Sequence, residues 1–174
     1  MNTPLFHTMR SGDAAALAAI PVHPPPLFAD ALPAAVAARQ RVCACFAATA
    51  PRPGATRLYT VLADDERRLL QVAATDVDGD SFASLTPRCP QVHLFEREIA
   101  EQFGLRPAGH PWLKPVRYCR SWTGRDAWNR PADEPIVPAA GDFYKVAGDE
   151  VHEVAVGPVH AGVIEPGHFR FQCG

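Results

Sequence analysis

Val92, Phe95, Ile99 and Phe103 recur at three- and four-residue spacing, with Glu96, Arg97, Glu98 and Glu101 set between them. That spacing predicts an amphipathic helix over about 90–103 whose charged residues crowd a solvated face. Gly104 stands where a left-handed C-cap is wanted, and Pro107 follows where the helix could not continue. Upstream the period changes. Val42, Ala44, Phe46 and Ala48 alternate with Cys43, Cys45 and Ala47, which predicts a half-buried strand over Arg41–Thr49. After the turn signal Pro51-Arg52-Pro53-Gly54, the residues Leu58, Tyr59, Val61 and Leu62 predict a second strand over 57–63. Asp64-Asp65-Glu66 turns the chain into a third strand over 68–77, closed by Asp78-Gly79-Asp80, and connections this short favour an antiparallel meander.

Helical signals flank the meander. Ser11-Gly12-Asp13 can cap a short helix over 14–20, which Pro21 and the stiff Pro24-Pro25-Pro26 connector would end. A second helix is predicted over about 30–40, with Pro33 in its first turn, and a short one over 81–85. From Lys114 to Ala147 periodicity is lost, while Pro131, Pro135 and Pro138 appear beside Trp122 and Trp128. Linkers rarely carry tryptophan, so this stretch reads as an extended arm resting on a surface. Val151–Phe171 again reads as strand with Gly-Pro turns. The expectation is an α+β fold, a two-layer, mostly antiparallel sheet packed against helices, with an extended C-terminal arm. Its segments are 1–26 (N-terminal helix and proline-rich connector), 27–117 (the α+β domain), 118–150 (the arm) and 151–174 (a further strand-forming piece).

Composition narrows the function classes. The 174 residues are 47% hydrophobic with a formal net charge of −2, a globular balance with no basic footprint for nucleic acid. No apolar run approaches the ~20 residues that span a bilayer. Residues 1–20 lack a basic start followed by an apolar block, and the cysteine count of 5 is odd, so reduced thiols and a cytoplasmic location are expected. The acids of the 90–103 helix could be mistaken for a catalytic carboxylate pair. Charged helix faces are usually solvated, however, and Arg97 with Glu101 would be an ordinary i,i+4 pair. His110, between Gly109 and Pro111, is expected to brace a turn. Cys43 and Cys45 share one strand face and read as buried small hydrophobes rather than ligands. His152, His160 and His168 with Glu150, Glu153 and Glu165 are the one metal-like set, and a hairpin would be needed to gather them. Trp112, Trp122 and Trp128 could pack on the domain's own surface or anchor an interface.

Glu96-Arg97-Glu98, an acid at Glu101, Phe103-Gly104, and then Gly109-His110-Pro111-Trp112-Leu113-Lys114 together resemble the signature of the thirty-kilodalton subunit of respiratory complex I. The same domain stands at the N-terminus of the large subunit in formate-hydrogenlyase-type nickel–iron hydrogenases, and the resemblance covers roughly residues 27–117. A second string, Val156 to Phe171, resembles the opening strands of the hydrogenase-type large subunit, which favours the fused branch of the family. The resemblance implies that Glu165, in Ile164-Glu165-Pro166-Gly167-His168, matches a glutamate implicated in proton transfer near the metal. It implies likewise that His160 matches a residue beside the quinone cavity of complex I relatives. A nickel–iron centre in these enzymes takes four thiolates from two Cys-x-x-Cys pairs. This chain has Cys43 and Cys45 as Cys-x-Cys, with Cys89, Cys119 and Cys173 isolated. No cofactor or metal is therefore expected in the chain itself. The nickel–iron centre and iron–sulfur clusters are expected in partner subunits or in a body beyond residue 174.

The resemblance implies a non-catalytic interaction domain of a complex I-like membrane-bound hydrogenase. It would dock a hydrogenase-type large subunit, the counterpart of the forty-nine-kilodalton subunit of complex I, and an iron–sulfur subunit of the twenty-kilodalton type. Its place would be the cytoplasmic face of the inner membrane, held there only through the complex. Glu96, Arg97, Glu98, Glu101, Phe103, Gly104, Gly109, His110, Pro111, Leu113 and Lys114 are its interaction signature. Two alternatives stay open: a stand-alone subunit of this type in an NADH:quinone oxidoreductase, and a small zinc hydrolase built on the C-terminal His/Glu set.

Overall fold

Three long strands carry the architecture: β3 (Arg41–Thr49), β4 (Ala55–Asp64) and β5 (Leu69–Asp78) form the antiparallel meander that the alternating pattern and short turns required. The computed structural model describes residues 4–137 and 146–174; residues 1–3 of the N-terminal segment and 138–145 of the expected arm, Pro138 included, lie outside the described residues. The chain divides into two compact units, Met1–Ala139 and Ala140–Gly174.

In the first unit, β1 (His7–Met9) pairs antiparallel and β2 (Val22–His23) parallel with β5, giving a five-stranded sheet among the described residues. These two strands, of 3 and 2 residues, are too short to show a period and escaped the pattern. They are pinned by distant contacts: the Thr75 hydroxyl donates to the His23 carbonyl at 2.8 Å, and the His23 ring meets the Leu5 carbonyl at 2.8 Å. On one face of the sheet, Leu62 and Ala73 pack with Phe28, Leu32 and Ala35 of α1 (Pro25–Ala37). Beside them, Leu58, Cys45 and Val77 pack with Ile99 of α2 (His93–Phe103) and with Leu105. Burial of these side chains supplies the main drive for folding. The opposite face gathers Tyr59, Val72 and Ala74 with Met9 and Ile20. The α+β class with a mostly antiparallel sheet is what the structure has.

Four local expectations are corrected. Pro25 and Pro26 do not form a stiff connector; they open α1, where a proline's missing N–H is one that no helical carbonyl needs. Pro33 consequently lies inside that helix rather than in its first turn. Residues 81–83 are not helical but form β6 (Ser81–Ala83), paired parallel with β7 (Arg106–Ala108), the strand that leaves α2. Phe82 thereby reaches the core cluster around Ile99, and a long-range pairing overrides the local signal. Residues 14–20 hold only a 3-10 turn at Leu17–Ala19, with no buried side chain to sustain a longer helix.

The second unit contains a two-stranded antiparallel hairpin, β8 (His152–Val159) and β9 (Gly167–Cys173). All of β8 is exposed, and Phe169 and Phe171 stack on one another at 6.0 Å while both stay open to solvent.

Candidate functional site

Helix α2 follows the spacing of its apolar residues, and Gly104 ends it in the left-handed conformation at φ 61°. Glycine is required there twice over. A Cβ on Gly104 would also stand 2.5 Å from the Cβ of Arg125, which crosses the helix end at that point. Arg125 donates to the Gly79 carbonyl and the Thr56 hydroxyl, each at 3.0 Å, so it ties the end of α2 to the sheet. No periodic signal pointed to Arg125; the close approach to Gly104 is visible only in three dimensions.

Three of the charged residues of α2, Glu96, Arg97 and Glu101, are not on a solvated face, which corrects the sequence expectation for them. Glu96 and Glu101 are each 1% exposed and Arg97 is 8% exposed. Each is consumed by a neighbouring loop. Glu96 accepts from the Leu85 amide and from the hydroxyls of Ser84 and Thr86, all at 2.6 Å, and from the Thr86 amide at 3.3 Å. Glu101 accepts three backbone N–H groups: Val116 at 2.7 Å, Arg117 at 2.8 Å and Cys119 at 2.9 Å. Arg97 does not spend its fork on the expected pair with Glu101. Its Nε donates to the Lys114 carbonyl at 2.7 Å and its Nη2 to the Pro115 carbonyl at 2.8 Å. A buried charge is tolerable only when its hydrogen bonds are made in this way. Both oxygens of Glu96 and Glu101 are engaged, so neither is offered to a substrate as acid or base. Glu98 faces outward and pairs with Arg117 at 2.7 Å.

The stretch after Lys114, expected as an arm, lies on α2. Ser121 and Thr123 donate their hydroxyls to the carbonyls of Gln102 and Phe103 at 2.9 and 3.0 Å, filling acceptors that a helix end leaves open. Trp122 stands edge-on to Phe103 at 5.2 Å, and the Trp128 indole N–H points to the Leu113 carbonyl at 3.4 Å. The Gly109-His110-Pro111 turn is braced by His110. Its Nδ1 accepts the Trp112 amide at 3.0 Å, which leaves Nε2 to donate to the His93 carbonyl at 3.2 Å. His93, which no sequence signal singled out, lies between the rings of His110 and Trp112. Burial, with the charges of Arg97 and His110, holds its imidazole below the usual histidine range.

In the hairpin unit, His160 and Glu165 sit in the exposed turn between β8 and β9. His160 Nδ1 accepts the Gly162 amide at 3.0 Å. Glu153 is taken up by Arg170 at 2.7 Å, and the His168 ring fills the space where Gly157 lacks a side chain. Among the described residues no three of His, Cys, Asp and Glu converge, so the hairpin does not gather the zinc set. Of the thiols, Cys45 and Cys89 are buried, Cys43 and Cys119 half-buried, and Cys173 exposed. Burial pushes the Cys45 thiol up to about 12, so it stays protonated.

Comparison with known proteins converges on the same helix and turn. The family described as respiratory-chain NADH dehydrogenase, 30 Kd subunit, matches residues 28–131, which span the meander, α2 and the segment packed on it. The chain belongs to this family. Among curated relatives it is similar to hydrogenase-4 component G of Escherichia coli (strain K12), at 33% identity over 106 residues, covering 56% of this chain and 19% of that protein. It is also similar to formate hydrogenlyase subunit 5 of the same organism, at 32% identity over 106 residues, covering 55% of this chain and 18% of that protein. The chain therefore matches about a fifth of the length of either relative.

Proposed function

We propose that this member of the family is a non-catalytic docking domain of a complex I-like, membrane-bound hydrogenase. It joins the catalytic large subunit to the iron–sulfur subunit. The observation that carries the reading is the fate of the signature charges. Glu96, Arg97 and Glu101 are spent on fixing the chain's own loops, so the signature reads as a device that shapes a surface. The names of the relatives, a hydrogenase component and a formate hydrogenlyase subunit, supply the context. Among the described residues no helix is long and apolar enough to cross a membrane. On this reading the chain reaches the cytoplasmic face of the membrane through its partners. The nickel–iron centre and clusters lie in those partners or in a longer polypeptide. Glu165 and His160 serve as proton relay and cavity residue only in that assembly, because alone their turn is open to solvent.

The test has two arms. The tagged full chain, purified from cells that make the whole complex, is expected to bring down a nickel-carrying large subunit and an iron–sulfur subunit. The chain purified alone is expected to hold no nickel, iron or zinc and to show no hydrogen uptake. Metal with turnover in the isolated chain would overturn the reading, and recovery of NADH-oxidising subunits in place of a hydrogenase would move it to the respiratory version.

A further inference from the structure

We infer that the apolar cavity between α1, the sheet and the loop after β6 receives one large apolar side chain from an extended segment of the partner protein, whose backbone amide and carbonyl meet Asp30 and Arg88. The inference rests on the docking reading above and gives it a place on the surface and a partner chemistry. The cavity has a volume of about 360 Å³, at the small end of pockets that bury a ligand. Phe28, Leu58, Val77 and Leu85 line it, each no more than 5% exposed. Thr75, which lies among them, already gives its hydroxyl proton to the His23 carbonyl. Ala29 of α1 and Ala83 of β6 belong to different walls, and their short side chains leave the hole unfilled. The family signature shapes one of these walls. Glu96 fixes the Leu85 and Thr86 amides, and the Arg88 amide closes the same loop onto the Leu85 carbonyl at 3.0 Å. A wall held in this way is preorganised, which lowers the cost of binding.

The charges at the rim argue the occupant. Arg88 Nη1, from the loop, meets Asp30 Oδ1, from α1, at 2.9 Å, with side chains 56% and 70% exposed. Among the described residues neither side chain makes another bond, so Arg88 keeps donors and Asp30 an acceptor for an incoming group. An anionic headgroup would gain from Arg88 and be repelled by Asp30, and a cationic one the reverse. A head that only accepts hydrogen bonds would give Asp30 nothing. A peptide group carries one donor and one acceptor and no net charge, so it gains from both. An exposed pair of this kind contributes little by itself, and the apolar side chain below it supplies most of the affinity. A backbone segment that seats one Phe, Leu or Met in the cavity matches both the rim and the walls.

Titration of the full tagged chain against the purified large-subunit/iron–sulfur-subunit pair tests this. Ala29→Leu fills the hole with a good helix former. It is expected to hold or raise the melting temperature while weakening binding about tenfold. Asp30→Asn and Arg88→Gln change exposed side chains and leave the fold intact, and each is expected to weaken binding about threefold. If Asp30→Asn strengthens binding the occupant is anionic, and if Arg88→Gln strengthens it the occupant is cationic. Either result overturns the inference, as does a rim variant that leaves binding unchanged, or a folded Ala29→Leu that binds within about twofold of the wild type. Should Ala29→Leu not fold, the two rim variants decide alone. In all these cases the wild type still binds and the docking reading stands. If the wild type does not bind at all, the docking reading falls and takes this inference with it.

Discussion

Helix α2 and the β8–β9 hairpin treat their side chains in opposite ways. The helix buries two carboxylates and a guanidinium, while the hairpin leaves Val154, Val156, Phe169 and Phe171 open to water. In the helix, every buried charge meets a backbone group from a loop of the same unit, so the local structure is complete within the chain. In the hairpin, the inter-strand ladder is joined by bonds from Arg170 and Gln172 to Glu153, and a lone two-stranded hairpin is marginal in water. Charge inside therefore marks a finished architectural element here. Grease outside marks a surface whose stability is not yet accounted for.

The comparison breaks most visibly if a buried acid proves dispensable. Glu101→Ala leaves three backbone N–H groups without their acceptor. The expected loss is about 3 kcal/mol, a drop of about 10 °C in melting temperature by circular dichroism. A shift under about 2 °C would show that the carboxylate is ornamental. Gly104→Ala adds a side chain at positive φ against Arg125 and is expected to cost about 2 kcal/mol, read from a urea titration as a lower midpoint at unchanged slope.

A smaller effect tests whether partly buried cross-strand charges behave like fully buried ones. Arg57 and Asp76 face each other across β4 and β5 at 2.6 and 2.9 Å, and that hydrogen bond holds the Asp76 carboxyl below its ordinary 3.8. Because the folded pKa is the depressed one, the stabilisation is fully present above the unfolded value and fades as pH falls below it through the folded value. Asp76→Asn is expected to cost about 1 kcal/mol at pH 7 and to flatten the acid limb of a stability–pH profile below about pH 4. The smallest change belongs to the hairpin. Phe169→Ser removes a large apolar side chain yet is expected to alter stability by less than about 0.5 kcal/mol, because the ring is already solvated. A larger loss would mean that the ring is covered in solution.

Much of this contrast was legible in the sequence, and the illegible part has a physical cause. The three long strands were readable because Val42 to Ala48 and Leu58 to Leu62 alternate over enough residues to declare a period. The end of α2 was readable because Gly104 is the residue a left-handed cap wants. What failed was the step from helical period to exposure. Glu96, Arg97 and Glu101 look solvated on a helical wheel, since a wheel does not know that residues 84–86 and 114–119 will fold back over that side. Their partners are mostly backbone groups, which carry no identity in the sequence. The short pairing of β6 with β7 failed for a related reason, because three residues that look helical locally are claimed by a strand beyond the helix. The candidate site divided in the same way. His110 and the Gly-His-Pro turn stood out, whereas His93 became visible only when its ring was found between His110 and Trp112.

Native mass spectrometry of the detergent-solubilised complex, isolated through a tag on this chain, tests the central claim most directly. The docking account predicts a subcomplex containing the chain, a nickel-carrying large subunit and an iron–sulfur subunit, and predicts that the chain carries no metal mass when it is released from them. A chain found free of both subunits, or released with metal of its own, would contradict it.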